Sequence, residues 1–170
     1  PTGTLLAGNA IEAFLDQAPA RVLVVLDEAY NEYLPPEARY DCTAWLTRFP
    51  NLIITRTFSK IYGLAGLRAG FALAHPEAAD LMNRVRQPFN VSSIAMAAAC
   101  AALADTEFVA QSYALNRQGM ARIVAGLSQL GLEHIPSFAN FITFRVDNAA
   151  QVNRSLLQQG VIVRPLAGYA

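Results

Sequence analysis

The chain has 170 residues, with 13 Lys and Arg against 13 Asp and Glu, so its formal net charge is zero; 54% of its residues are hydrophobic and 15% charged. So apolar a chain is not a disordered segment, and at this length folding can bury roughly 70% of the unfolded surface, enough for a core. Neutrality argues against a nucleic-acid surface built on phosphate neutralisation, and no apolar run approaches the ~20 residues of a membrane-spanning helix.

Thr2-Gly3-Thr4 reads as a turn. Leu6, Ala10, Ile11, Phe14 and Leu15 recur at helical spacing, which predicts a helix over Leu5–Ala18 stopped by Pro19. Arg21–Leu26 is a nearly continuous aliphatic run, the pattern of a strand buried on both faces. A loop opened by Pro35-Pro36 and a helix over Thr43–Phe49 lead to a second buried strand, Asn51–Thr57. That βαβ order predicts a parallel pair with a right-handed crossover. Arg68–Ala74 is a third strand, reached by so short a Gly-rich connection that antiparallel pairing is expected. Helices follow over Pro76–Arg86, Ser92–Ala104 and, capped by Asp105 and Thr106, to about Leu130 before Gly131. A strand over Asn140–Val146, a helix over Ala149–Gln159 ended by Gly160, and a strand over Val161–Arg164 complete a β-α-β pattern.

Ligands of parallel sheets sit beyond the strands' carboxyl ends. Asp27 and the segment Thr57–Lys60 occupy those ends and should meet in space. The hydroxyls of Thr57 and Ser59, loop N–H groups and Arg68 together suit a phosphate dianion. A lysine beside a phosphate site is placed to form a Schiff base, although a lone Lys after a strand is ordinarily a solvated loop residue. Asp27, at the end of an aliphatic strand, is costly to bury unless paired; it reads as a helix cap, as a surface-turn residue or as the partner of a protonated ring nitrogen. Tyr30 can reach the same ligand or simply pack. Arg56 and Tyr62 receive no role, and His75 and His134 read as surface or turn residues. Cys42 and Cys100 lack metal-ligand spacing and are expected to be reduced, buried thiols, with no metal site.

Asp27-Glu28-Ala29-Tyr30, Thr57-Phe58-Ser59-Lys60 and Gly66-Leu67-Arg68-Ala69-Gly70, in that order, resemble the signature of pyridoxal-phosphate enzymes of fold type I, the aspartate aminotransferase superfamily. Pro1-Thr2-Gly3 resembles the tail of that family's Asn-Pro-Thr-Gly turn. Tyr33, the run Leu64–Arg68, Pro136–Phe141 and Gly160–Leu166 are most similar to histidinol-phosphate aminotransferases; aromatic aminotransferases and a threonine-phosphate decarboxylase share much of the pattern.

The resemblance implies an α/β fold: part of the large pyridoxal-phosphate-binding domain over 1–88, a linking helical region over 89–131 and the start of a small C-terminal α/β domain over 132–170. It implies that Lys60 carries the cofactor and moves a proton. Asp27 would hold the ring nitrogen, Tyr30 the 3-oxygen, and Thr57, Ser59 and Arg68 the phosphate. Asn140 and Arg164 would face the substrate, Arg164 its phosphate. It further implies an amino-acid or amino-phosphate substrate, 2-oxoglutarate as acceptor, a cytoplasmic homodimer, and no nucleic-acid or membrane partner. The chain starts at Pro1 without Met and ends on Tyr169-Ala170. With the family's upstream turn and downstream carboxylate-binding arginine absent, it is expected to be an internal fragment, inactive by itself and prone to associate.

Overall fold

The computed structural model describes residues 2–166; Pro1 of the resembling turn and the terminal Tyr169-Ala170 lie outside the described residues. Helix α1 (Gly8–Gln17) ends before Pro19 and turns Leu15 into the core. Arg48 fastens its outer face through ion pairs to Glu12 and, at 2.8 Å, to Asp16.

Strands β1 (Val24–Asp27), β2 (Leu52–Thr57) and β3 (Gly70–Ala74) form one sheet in that order. β1 and β2 are parallel, Val24 opposite Leu52 through Asp27 opposite Thr55. β3 is antiparallel to β2, with Thr57 opposite Gly70. Both orientations match the expectation from connection length. The central strand is the most buried: Leu52 and Ile54 join Leu15, Cys42, Trp45 and Phe49 in one core cluster, and Ile53 is buried on the opposite face.

β1 departs from the expected strand buried on both faces. Its residues alternate, Val24 and Leu26 packing inward while Val25 stays 60% exposed. It is an edge strand, and no described element covers its second face. The crossover also differs. The expected helix over 43–49 is a 3₁₀ segment, Cys42–Thr47, preceded by 3₁₀ turns at Asn31–Tyr33 and Pro36–Ala38. Asp41 accepts a hydrogen bond from the Thr43 N–H at 3.0 Å, a local bond that competes with a continuous α-helix.

Beyond β3, α2 spans Pro76–Val85 and α3 Ser93–Ala104, the latter capped where Ser92 Oγ accepts from the Ala95 N–H at 3.2 Å. Ala95 packs with Phe58 and Ala69 in a second cluster that seats α3 beside the lysine loop. Helix α4 (Thr106–Gln129) starts at the Asp105 cap and stops at Gly131, whose φ of +67° a side chain would strain. β4 (His134–Ile135) and β5 (Thr143–Phe144) pair antiparallel, and α5 spans Ala149–Gln158.

Here too the sequence promised more strand than forms. The expected strand over 140–146 shrinks to β5, and 161–166 forms neither strand nor helix, with no ladder partner among the described residues and with Val161 and Ile162 exposed. An aliphatic run becomes strand only where a neighbour takes its N–H and C=O groups. The Cys pair splits likewise: Cys42 is buried, but Cys100 lies on the uncovered face of α3. No single described helix is long and apolar enough to cross a membrane; α3 and α4 reach that length only as a pair bent by 76°.

Candidate active site

A cleft of about 430 Å³ opens at the carboxyl ends of β1 and β2, lined by Asp27, Thr57, Ser59, Lys60, Arg68 and Arg56. Parallel pairing produces this meeting, because it sets Asp27 directly opposite Thr55 and brings Glu28 N–H to within 2.9 Å of the Thr55 carbonyl. Residues 27 and 60 thereby share one wall although a whole crossover separates them.

The loop after β2 turns tightly because Thr57 Oγ1 accepts from the Ser59 N–H at 3.1 Å. Phe58 anchors that loop in the second cluster, so Thr57, Ser59 and Lys60 keep their places on the rim. Arg68 follows the 3₁₀ turn Ala65–Leu67 in the left-handed region, at φ +52°. That conformation costs a non-glycine residue on the order of 1 kcal/mol and is a mark of functional sites. It returns the guanidinium toward the loop, where Nη1 donates to the Ala65 carbonyl at 2.8 Å and to Ser59 Oγ at 3.4 Å.

Asp27 does not bear the cost of burial that the end of an aliphatic strand threatened. It is exposed to the cleft, and one of its oxygens accepts from the Ala29 N–H at 3.1 Å. The buried acid is its neighbour Glu28, turned to the other side of the chain. There it takes two hydrogen bonds from Arg56, 3.0 Å from Nε and 2.8 Å from Nη2, and a third from the Cys42 thiol at 3.1 Å. Arg56 and Glu28 are the residues that reading the motif did not single out. The signal was available: an arginine inside an otherwise aliphatic strand must find an anion.

Tyr30 joins the two halves of the site. Lys60 Nζ lies 5.1 Å from its ring centre, and Phe141 meets it edge-on at 5.4 Å. Asn140 stands beside the Tyr33 hydroxyl. Burial raises that phenol's pKa, and the Asn140 hydrogen bond offsets part of the rise. Arg164 is not brought to the cleft; it is exposed in the segment 161–166. Among the described residues no cluster of acidic, His and Cys side chains could hold a metal ion.

The Lys60 amine, the Arg68 guanidinium and the hydroxyls of Thr57 and Ser59 thus share one open cleft with the Asp27 carboxylate, Arg56 being tied to Glu28, an arrangement suited to a ligand with an anionic group at one end and a protonated nitrogen at the other.

Comparison with known proteins agrees with this geometry. Residues 1–169 match the family Aminotransferase class I and II. The chain is 63% identical over 169 residues to histidinol-phosphate aminotransferase 1 of Dechloromonas aromatica, covering 99% of this chain and 47% of that protein. It is 62% identical over 170 residues to histidinol-phosphate aminotransferase 2 of Nitrosospira multiformis, covering 99% and 43%. Among solved structures it is similar to histidinol-phosphate aminotransferase from Sinorhizobium meliloti in complex with pyridoxal-5'-phosphate, at a TM-score of 0.89 and 34% identity over 98% of this chain and 47% of that one. The chain therefore spans about half the length of the relatives it matches, and its α/β fold is that of fold type I. Motif order, cleft and matched length together make this chain a member of the class I and II aminotransferase family.

Proposed function

We propose that the protein containing this chain is a pyridoxal-phosphate-dependent aminotransferase that moves an amino group between histidinol phosphate and 2-oxoglutarate. The convergence of Lys60, Asp27, Thr57, Ser59 and Arg68 on one cleft carries the proposal, supported by the names of the relatives at 63% and 62% identity. The donor set fits the cofactor: hydroxyls and a guanidinium for a phosphate, an amine for an aldehyde, a carboxylate for a pyridine nitrogen.

When bound, pyridoxal phosphate supplies an electron sink for the bond broken at the substrate's Cα. The chain's own residues do the rest. Thr57, Ser59 and Arg68 bind the phosphate by charge-assisted hydrogen bonds. Asp27 keeps a proton on the ring nitrogen, and the Ala29 N–H fixes the carboxylate for that task. Tyr30 directs its phenol to the cofactor's 3-oxygen. Lys60 would hold the cofactor through its amine and, with that amine free, would take the proton from the substrate's Cα as general base. Asn140 borders the substrate side through Tyr33. Arg164 is assigned to the substrate's phosphate on the resemblance of Gly160–Leu166 to the family.

By the same reading 1–88 is part of the cofactor domain, 89–131 the linking helical region and 132–170 the start of the small domain. The protein works as a homodimer, for which the exposed apolar side chains offer surface, and in the cytoplasm, which two unpaired cysteines support.

Borohydride reduction of the cofactor-loaded full-length protein tests the site. The label is expected on the peptide containing Lys60, and Lys60→Ala should lower turnover by ~10³-fold or more. Label on another lysine, or none, overturns the assignment. Parallel assays with histidinol phosphate, phenylalanine and threonine phosphate decide the substrate; preference for either of the last two refutes histidinol phosphate.

A further inference from the structure

Arg56 and Glu28 flank the cleft without a part in the chemistry just described. Arg56 lines the cleft with Lys60, and its side chain is 24% exposed, whereas that of Glu28 is 2% exposed. The guanidinium is tied to Glu28, with Nε and Nη2 both donating to Glu28 Oε2 at 3.0 and 2.8 Å. The Cys42 thiol donates to the same oxygen at 3.1 Å. Glu28 Oε1 has no hydrogen-bond partner among the described residues. Buried ion pairs of this kind contribute little net stability over well-packed apolar groups, so the presence of this one at the wall of the cleft that Lys60 also lines calls for another explanation.

The charges facing the lysine supply one. The cleft wall carries three cations, Lys60, Arg56 and Arg68, against the single carboxylate of Asp27. Tyr30 presents its ring to Lys60 at 5.1 Å. From behind, Arg56 faces Glu28 and Glu32, with Tyr40, Asp41, Cys42 and Tyr62 also within its influence. Burial pulls the Arg56 pKa down, but hydrogen bonds and charge from Glu28 outweigh it, so the guanidinium stays fully charged. Burial, with the Glu28 hydrogen bond, pushes the Cys42 thiol up to about 11, so it remains a neutral donor.

We infer that Glu28 is a positioning residue of the lysine site: it neutralises Arg56 and holds it back, so that Asp27 and Arg68, and not a third cation, set the electrostatic field at Lys60 Nζ. The inference rests on the proposed cofactor chemistry. Removing the Glu28 charge alone would leave Arg56 uncompensated and disfavour a proton on the nitrogen that joins Lys60 to the cofactor. Removing the Arg56 charge alone would do the reverse.

The test uses the full-length protein loaded with pyridoxal phosphate, following the pH midpoint of the cofactor's visible absorbance band. Glu28→Gln should lower the midpoint by about half a pH unit, Arg56→Gln should raise it by a similar amount, and the double variant should return it near the parent value. A purely structural role predicts no opposite-signed pair and no compensation. Unmoved midpoints, or shifts of one sign in both single variants, overturn the inference. If Glu28→Gln does not fold, the sign in Arg56→Gln decides: a fall or no change overturns it. Failure of the parent protein to label Lys60 with borohydride is a separate result, which refutes the cofactor assignment itself.

Discussion

Glu32 is a carboxyl that the fold holds in an unfavourable setting. Burial raises its pKa above the ordinary 4.5, and a backbone hydrogen bond and the Arg56 charge offset that only in part. A carboxyl with a raised folded pKa binds its proton more tightly folded than unfolded. Its contribution to stability is therefore greatest below pH 4.5 and is lost as pH rises toward the folded value. Glu32→Gln should melt close to the parent at pH 4 and about 1–3 °C higher at pH 7, read by thermal unfolding at the two pH values. Equal differences at both would show that folding does not raise the Glu32 pKa. At this scale the sequence was partly legible. Lys60, Asp27, Thr57, Ser59 and Arg68 stood out because their types and order match chemistry. Glu28 did not, because Asp27 and Glu28 are adjacent carboxylates and only the strand's alternation decides which one is buried.

The elements place these side chains through the β2–β3 pairing. Gly70 stands opposite Thr57, and a Cβ there would come within 2.7 Å of the Arg56 carbonyl oxygen. Since that atom belongs to a paired backbone, it cannot give way cheaply. Gly70→Ala should lower unfolding free energy by about 1–3 kcal/mol in denaturant titration. It should also weaken cofactor retention, because the strands it separates carry Thr57 and lead from Arg68. A stability within 0.3 kcal/mol of the parent would show that the pairing relaxes freely. Strand positions and orientations followed from aliphatic runs and connection lengths. Helix ends followed from Ser92, Asp105 and Gly131. The helix expected over Thr43–Phe49 gave way to a 3₁₀ segment beside the local Asp41–Thr43 hydrogen bond, whereas the strand expected over Val161–Arg164 lacks a ladder partner among the described residues, which local sequence cannot display.

The whole molecule exposes more surface than a closed domain of its mass. Its accessible area is 11770 Å², whereas a compact monomer of 18.4 kDa should expose about 8,200 Å². The excess, roughly 3,600 Å², exceeds a standard protein–protein interface. Large apolar side chains contribute to it, including Phe89 at 98% and Val85 at 84% exposed, with Ile94, Leu115 and Leu130 along α3 and α4. The 170-residue chain by itself should therefore associate in light-scattering chromatography and show no turnover. A monodisperse monomer with aminotransferase activity would refute both expectations.

Sequence alone determined the family, the fold class and five of the residues that line the cleft, because each depends on residue type, order and spacing along one chain. Tertiary structure decided which of two neighbouring carboxylates is buried, that Arg56 on the cleft wall pairs with it, that Arg164 is not among the residues lining the cleft, and that Cys100 is uncovered. Those outcomes depend on which faces find a neighbour, and a neighbour is a property of the assembled fold.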